Sequence, residues 1–122
     1  MTSALDIDRE SAIWLAGLLE GEGAFDAHRG RYARVRVQMT DRDIVQRAAR
    51  LMGTGERLSL RQAPASPTWN AEVSGERAEA VMAAVLPHMG ARRSRRIAEV
   101  LAAIAYYRGH DRPSLPGPQL AV

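Results

Sequence analysis

Apolar positions recur along the chain at two spacings, one helical and one alternating, and the switches between them mark out the elements. Between Asp8 and Glu20, the residues Ala12, Ile13, Leu15, Ala16, Leu18 and Leu19 follow a helical period, with Asp8 as N-cap and Gly21 and Gly23 as the stop. Ala24 to His28 then reads as a strand, Arg29-Gly30-Arg31 as a turn, and Tyr32 to Met39 as a second strand. In that strand Val35, Val37 and Met39 share one face, and Arg34, Arg36 and Gln38 the other. Thr40 is placed to cap a helix from Asp41 to Met52, whose apolar side is Ile44, Val45, Ala48, Ala49, Leu51 and Met52; Gly53-Thr54-Gly55 stops it. Alternation returns with Leu58 and Leu60 opposite Arg57, Ser59 and Arg61. After a loop at Ala63-Pro64-Ala65-Ser66-Pro67 it resumes with Trp69, Ala71 and Val73 opposite Thr68, Asn70 and Glu72. A helix from Glu76 to Leu86 ends before Pro87, because the residue before a proline disfavours the helical region. The last helix runs from about Arg92 to Arg108.

The resulting order, αββαββαα, predicts one α+β domain over residues 1–108, followed by a Pro-rich flexible tail at 109–122 with Pro113, Pro116 and Pro118. The length, 122 residues, suits a single domain. There is no cysteine, which removes disulfides and thiolate metal ligands from consideration. Met1 to Glu10 is acidic and polar, unlike a secretory leader. No apolar run approaches the roughly 20 residues that cross a bilayer. The expectation is a cytoplasmic protein with no membrane partner and no small-molecule cofactor, nucleoid-associated if it binds DNA. All 17 basic residues are arginine, against 14 acidic ones. Arginine suits bidentate contact with phosphate and guanine, but a GC-rich coding bias produces the same composition, and both readings stand open.

Residues 15 to 23 read Leu-Ala-Gly-Leu-Leu-Glu-Gly-Glu-Gly, directly after Trp14. Gly17 and Gly21 lie four apart, on one helical face, and a glycine inside a helix costs about 0.5–1 kcal/mol relative to alanine. A close approach by another backbone accounts for that cost. Glu20 and Glu22 stand at the negative end of the helix dipole, where a carboxylate is disfavoured by a few tenths to about 1 kcal/mol. A bound cation would offset them; a glycine cap with two solvated glutamates is the plainer alternative. Arg92, Arg93, Arg95 and Arg96 present the mirror image, four cations at the N-terminus of the last helix. A phosphate would relieve them, and a solvated face with its stems on apolar surface is again the alternative.

The nine-residue stretch resembles the LAGLIDADG motif, with Leu, Glu and Glu at the Ile, Asp and Asp places, and the order of elements over residues 10 to 108 resembles the fold of that homing endonuclease family. The resemblance implies a four-stranded antiparallel, saddle-shaped sheet, and two motif helices packed together through Gly17, Gly21 and Trp14. One motif per chain implies a symmetric homodimer. By the same resemblance Glu22 is the metal-binding acid, for Mg²⁺ (or Mn²⁺), with Glu20 supporting it or packing the helix end. Arg92 falls where several members carry a lysine that assists the reaction, although arginine cannot readily shuttle a proton. Asp41 corresponds to a residue that positions water, and is equally at home in the first turn of a helix.

The outward strand faces collect Asp26, His28, Arg34, Arg36, Gln38, Arg57, Ser59, Arg61, Thr68, Asn70 and Glu72. A solvated sheet face always alternates in this way, but Arg, Gln and Asn are the types that read base edges in the major groove, where the resemblance places the sheet. With Arg93, Arg95 and Arg96 they form the candidate DNA-binding set. His28, His88 and His110 lack metal-ligand spacing, and Trp14, Phe25 and Trp69 read as core. Three functions are open. The first is a site-specific, metal-dependent endonuclease on double-stranded DNA, involved in intron or intein mobility. The second is a cleavage-inactive DNA- or RNA-binding protein of the same fold, a transcription regulator or splicing maturase. The third is a dimeric regulatory domain that binds a small molecule.

Overall fold

The computed structural model describes residues 6–59 and 67–110. The elements run α1 (Arg9–Glu22), β1 (Gly23–His28), β2 (Tyr32–Met39), α2 (Arg42–Met52), β3 (Glu56–Ser59), β4 (Thr68–Ser74), α3 (Glu76–Val85), a 3₁₀ turn (Leu86–His88) and α4 (Ala91–His110). This is the expected α+β order. Leu60, Arg61, the loop from Ala63 to Ser66 and the tail prolines lie outside the described residues.

The four strands form one antiparallel sheet in the order β1-β2-β4-β3. Pairing sets Phe25 opposite Val35 and Val37 opposite Ala71, so one face of the sheet is apolar throughout its centre. The helices cover that face. Leu15 and Leu19 of α1, Met52 of α2, Met82 of α3, and Ile97 and Ile104 of α4 are fully buried with Val35 and Val37. Among the described residues no polar or charged group is buried. Trp14 and Trp69 pack partly buried against this core and Phe25 lies within it, in agreement with the sequence reading.

Five helix ends differ from the sequence reading. The first helix does not stop at Glu20: it includes Gly21 and ends at Glu22, and Gly23 alone caps it, its N–H donating to the Leu19 carbonyl. Gly21 reads as a stop in sequence, but nothing in the structure forces it out of the helical region. Thr40 is not the cap of α2. Asp41 holds that position without a side-chain bond to the helix, and the Thr40 hydroxyl donates to Asp41 Oδ1 instead. Helix α3 stops at Val85, and the chain tightens into one 3₁₀ turn that accommodates Pro87 at its start. Helix α4 begins at Ala91 and continues through Gly109 to His110, so those two residues belong to the helix rather than to a tail. Elsewhere the sequence reading holds: Asp8 caps α1 by accepting from the Ser11 N–H at 2.8 Å, and Gly53 closes α2 at φ 77°, a left-handed position that suits glycine.

The turn from α1 into β1 packs a glycine against the chain's own backbone. A Cβ on Gly23 would stand 2.7 Å from Leu19 Cδ2 and 2.9 Å from Leu19 Cα, which is backbone and cannot swing aside. Gly23→Ala is expected to destabilise the fold by about 1–3 kcal/mol through overpacking, read as a lower urea midpoint with unchanged slope. A midpoint equal to that of the wild type contradicts this packing.

Candidate functional site

Glu22 is the last residue of α1 and is exposed at its tip. From there a groove of about 450 Å³ extends onto the polar face of the sheet, lined by Glu22, Ala24, Arg36, Gln38, Arg57, Asn70 and Glu72. The alternation within β1, β2 and β4 points these side chains away from the core, and the cross-strand register brings them together: Arg36 faces Glu72 and Gln38 faces Asn70.

That polar face is internally organised. Arg34 donates twice to Asp26, through Nε and Nη2, both at 2.9 Å, and Arg36 Nη2 donates to the same carboxylate at 3.1 Å. Glu72 approaches Arg34 at 4.0 Å. Gln38 Nε2 donates to Thr68 Oγ1 at 2.7 Å. The Arg34 hydrogen bonds, with the charges of Arg34 and Arg36 adding to them, hold the Asp26 carboxyl below its ordinary range. Asp26 and Arg34 therefore satisfy each other, whereas Arg36 and Gln38 remain exposed. His28 stands at the far end of β1, paired with Tyr32. Ser59 closes β3 opposite Thr68, and Arg61 lies outside the described residues.

A second groove, of about 390 Å³, adjoins the first at Ala24 and is lined by Gly23, Phe25 and the run Arg92, Arg93, Arg95 and Arg96. The four arginines divide into two pairs. Arg93 Nε donates to the Glu20 carbonyl at 3.0 Å, and Arg96 Nε to the Phe25 carbonyl at 2.9 Å. Arg92 and Arg95 are exposed and make no hydrogen bond or ion pair among the described residues.

The same junction accounts for Glu20. Its Oε1 accepts the Gly90 N–H at 2.8 Å, and the Gly90 carbonyl accepts the first bond of α4, from Ser94. Gly90 is thus the N-cap of α4, and Glu20 holds its N–H at the positive end of that dipole, while Arg93 satisfies a carbonyl at the negative end of α1. The two charge clusters that each oppose their own helix are complementary to each other. Sequence reasoning passes over Gly90; its position directly before an arginine-rich helix is the signal that marks a cap.

Asp41 is not in the Glu22 groove. It lines a third one, of about 550 Å³, with Ile13, Trp14, Gly17, Leu18, Met39 and Ile44. Among the described residues nothing covers this apolar face of α1: Ile13 is 41 % exposed, and a Cβ on Gly17 or Gly21 would meet nothing within 4 Å. Arg47 lies over the Trp14 ring at 4.0 Å. Among the described residues no three His, Asp or Glu gather as a metal site. One chain brings Glu22 and Glu72 to the same groove and no further carboxylate.

No family model and no curated protein matches the chain. Solved structures do. The homing endonuclease I-CvuI, in complex with its target in the presence of Ca, aligns with TM-score 0.57 and 14 % identity over 78 % of this chain and 66 % of that one. A second complex of I-CvuI, with the I-CreI target in Mg and DNA not cleaved, aligns with TM-score 0.60 and 15 % identity over 82 % and 71 %. The group I intron-encoded homing endonuclease I-CeuI, complexed with DNA, aligns with TM-score 0.61 and 16 % identity over 88 % and 59 %. The chain thus has the homing endonuclease fold, and it spans between 59 % and 71 % of the length of these proteins.

Two outcomes check the site. Glu20→Ala removes the acceptor at the α4 cap and is expected to cost about 0.5–2 kcal/mol of stability in metal-free buffer. Glu20→Gln, which keeps an acceptor oxygen, should lose much less; equal losses contradict the capping role. Asp26 has a folded pKa below its unfolded value of about 3.9, so its contribution is present above that value and lost as pH falls through the folded one. Asp26→Asn is therefore expected to lower the urea midpoint at pH 7 and to converge on the wild type as the pH falls through the folded pKa of Asp26. A gap independent of pH contradicts the assignment.

Proposed function

We propose that two copies of this chain form a site-specific endonuclease that hydrolyses both strands of a DNA duplex with a divalent metal ion, Mg²⁺ or Mn²⁺. The observation that carries the reading is the pairing of features on α1: a bare apolar face with glycines at positions 17 and 21, ending in the exposed carboxylate of Glu22. Helix pairing across Gly17 and Gly21, with Ile13 and Trp14 beside them, would bring two Glu22 tips together. The structurally similar I-CvuI and I-CeuI are DNA complexes, which supports DNA as the partner.

The donor set fits the ion. Mg²⁺ keeps several waters and takes one or two carboxylates besides phosphate oxygens, and Glu22 with its copy supplies two. When bound, the metal stabilises the developing charge on attacking and leaving oxygens and lowers the pKa of bound water. The chain's own residues hold and orient the duplex. Arg36, Gln38, Arg57 and Asn70 face the base edges from the sheet, with the Asp26–Arg34 pair fixing the height and rotamers of the surrounding side chains. Arg92 and Arg95 lie on the scissile side, free to meet phosphate, and Arg92 acts by charge rather than by proton transfer. Asp41, beside Gly17 in the stem groove, comes under the partner helix on pairing, where it can orient water.

Incubation with a randomised duplex library and Mg²⁺ tests the reading. A defined, roughly palindromic site should be cut, and Glu22→Gln should lose cutting by at least about 100-fold while keeping DNA affinity, as expected for loss of a metal ligand or its support. No cut sequence, or a Glu22→Gln protein as active as wild type, defeats it; tight binding without cutting identifies a non-cleaving protein of this fold. Gly17→Ala separates stem from fold. It should leave the monomer as stable or up to about 1 kcal/mol more so, while weakening dimerisation on DNA.

A further inference from the structure

A groove of about 670 Å³ opens where the β1–β2 turn meets the end of α4, lined by Arg29, Arg31, Tyr106, Tyr107 and His110. It shares no residue with the three grooves around α1. The β1–β2 register runs from Gly23 opposite Val37 to His28 opposite Tyr32, which puts the turn about 20 Å along the strands from Glu22 at roughly 3.4 Å per residue.

Three observations in this groove point to one ligand chemistry. Its permanently charged side chains, Arg29 and Arg31, are both cationic, and no acid among the described residues lines it. Tyr106 is 65 % exposed although one face of its ring is stacked on His110, with centroids 3.9 Å apart and planes 18° from parallel. Arg31 lies over the Tyr107 ring at 5.2 Å, so cation and aromatic surface are presented together. The turn adds the third. Arg29 has φ 55° and Gly30 φ 70°, and the Arg31 N–H donates to the His28 carbonyl at 2.9 Å, as in a type I′ hairpin turn. Asn, Asp or Gly closes such a turn without strain. Arginine there keeps a cation at the hairpin tip in a backbone conformation that its Cβ disfavours.

We propose that this groove is a second nucleic-acid site that takes an unpaired strand, with a base stacked on Tyr106 and the flanking phosphates on Arg29 and Arg31. In a duplex each base face is hidden against its neighbour, so an exposed ring gains nothing from it, whereas an unpaired base offers its face. Stacking and ion pairing do not read the 2′-hydroxyl, so DNA and RNA strands both qualify. The site is independent of whether the chain cuts DNA.

The test is anisotropy titration of the full chain with short labelled oligothymidylate, oligouridylate and a blunt duplex, using wild type, Tyr106→Ala and Arg29→Gly. Wild type should bind both single strands. Each variant should weaken that binding by at least about fivefold and leave duplex affinity unchanged. Arg29→Gly should melt no lower than wild type, because the turn is relieved. The ratio of the two wild-type strand affinities identifies the preferred source. The proposal is overturned if wild type ignores single strands, if either variant keeps wild-type strand affinity, or if duplex affinity falls in step with strand affinity.

Discussion

Two helix ends, each carrying charge of the sign its own dipole repels, are joined so that each satisfies the other. Glu20, at the C-terminus of α1, accepts the Gly90 N–H that opens α4, and Arg93, in the first turn of α4, donates to the Glu20 carbonyl. A carboxylate near a free helix C-terminus and a guanidinium near a free N-terminus are both unfavourable, but across this junction both become stabilising. Arg96 adds a third tie, to the Phe25 carbonyl in β1. The tip of α1, the start of β1 and the start of α4 are thereby held as one unit. What the unit leaves unpaired among the described residues, Glu22 on one side and Arg92 and Arg95 on the other, is the set that the proposed metal and phosphate would meet.

The rest of the molecule builds outward from that junction. The helices cover one face of the β1-β2-β4-β3 sheet, and the opposite face stays polar because β2 alternates strictly between core and solvent. Some of that polarity is spent internally. Asp26 binds Arg34 at both oxygens, while Arg36 and Gln38 stay exposed beside the pair. Another unsatisfied surface among the described residues is the stripe of α1 around Gly17, where absent side chains leave open space rather than a packed contact. A helix that keeps glycines at such positions forgoes stability unless another surface meets them.

Much of this fold is legible in the sequence, and the reasons are local. The alternation Val35, Val37, Met39 against Arg34, Arg36, Gln38 is unambiguous because one face of a strand is covered and the other is not. Helix ends are less legible. Gly21 reads as a stop but is helical, and Thr40 reads as a cap but yields that place to Asp41. The role of Glu20 is hidden for a different reason: its partner is 70 residues away, so a local pattern that marks Gly90 as a cap does not say which acid meets it. The division among the four arginines was within reach. Arg93 and Arg96 fall on the helical stripe that continues to Ile97, Val100 and Ile104, and so face the body of the protein, while Arg92 and Arg95 lie off it. The sequence motif itself anticipated the fold that the homing endonuclease structures share, despite identities of only 14–16 %.

The proposed chemistry requires a complex in which α1 meets a copy of itself on nucleic acid. Native mass spectrometry of the protein with a bound duplex measures this directly. Two chains per duplex, reduced to one or none when Gly17 carries a bulky side chain, is the result expected. A single wild-type chain per duplex at saturation contradicts the account, because a lone Glu22 cannot supply the two carboxylates on which the chemistry rests.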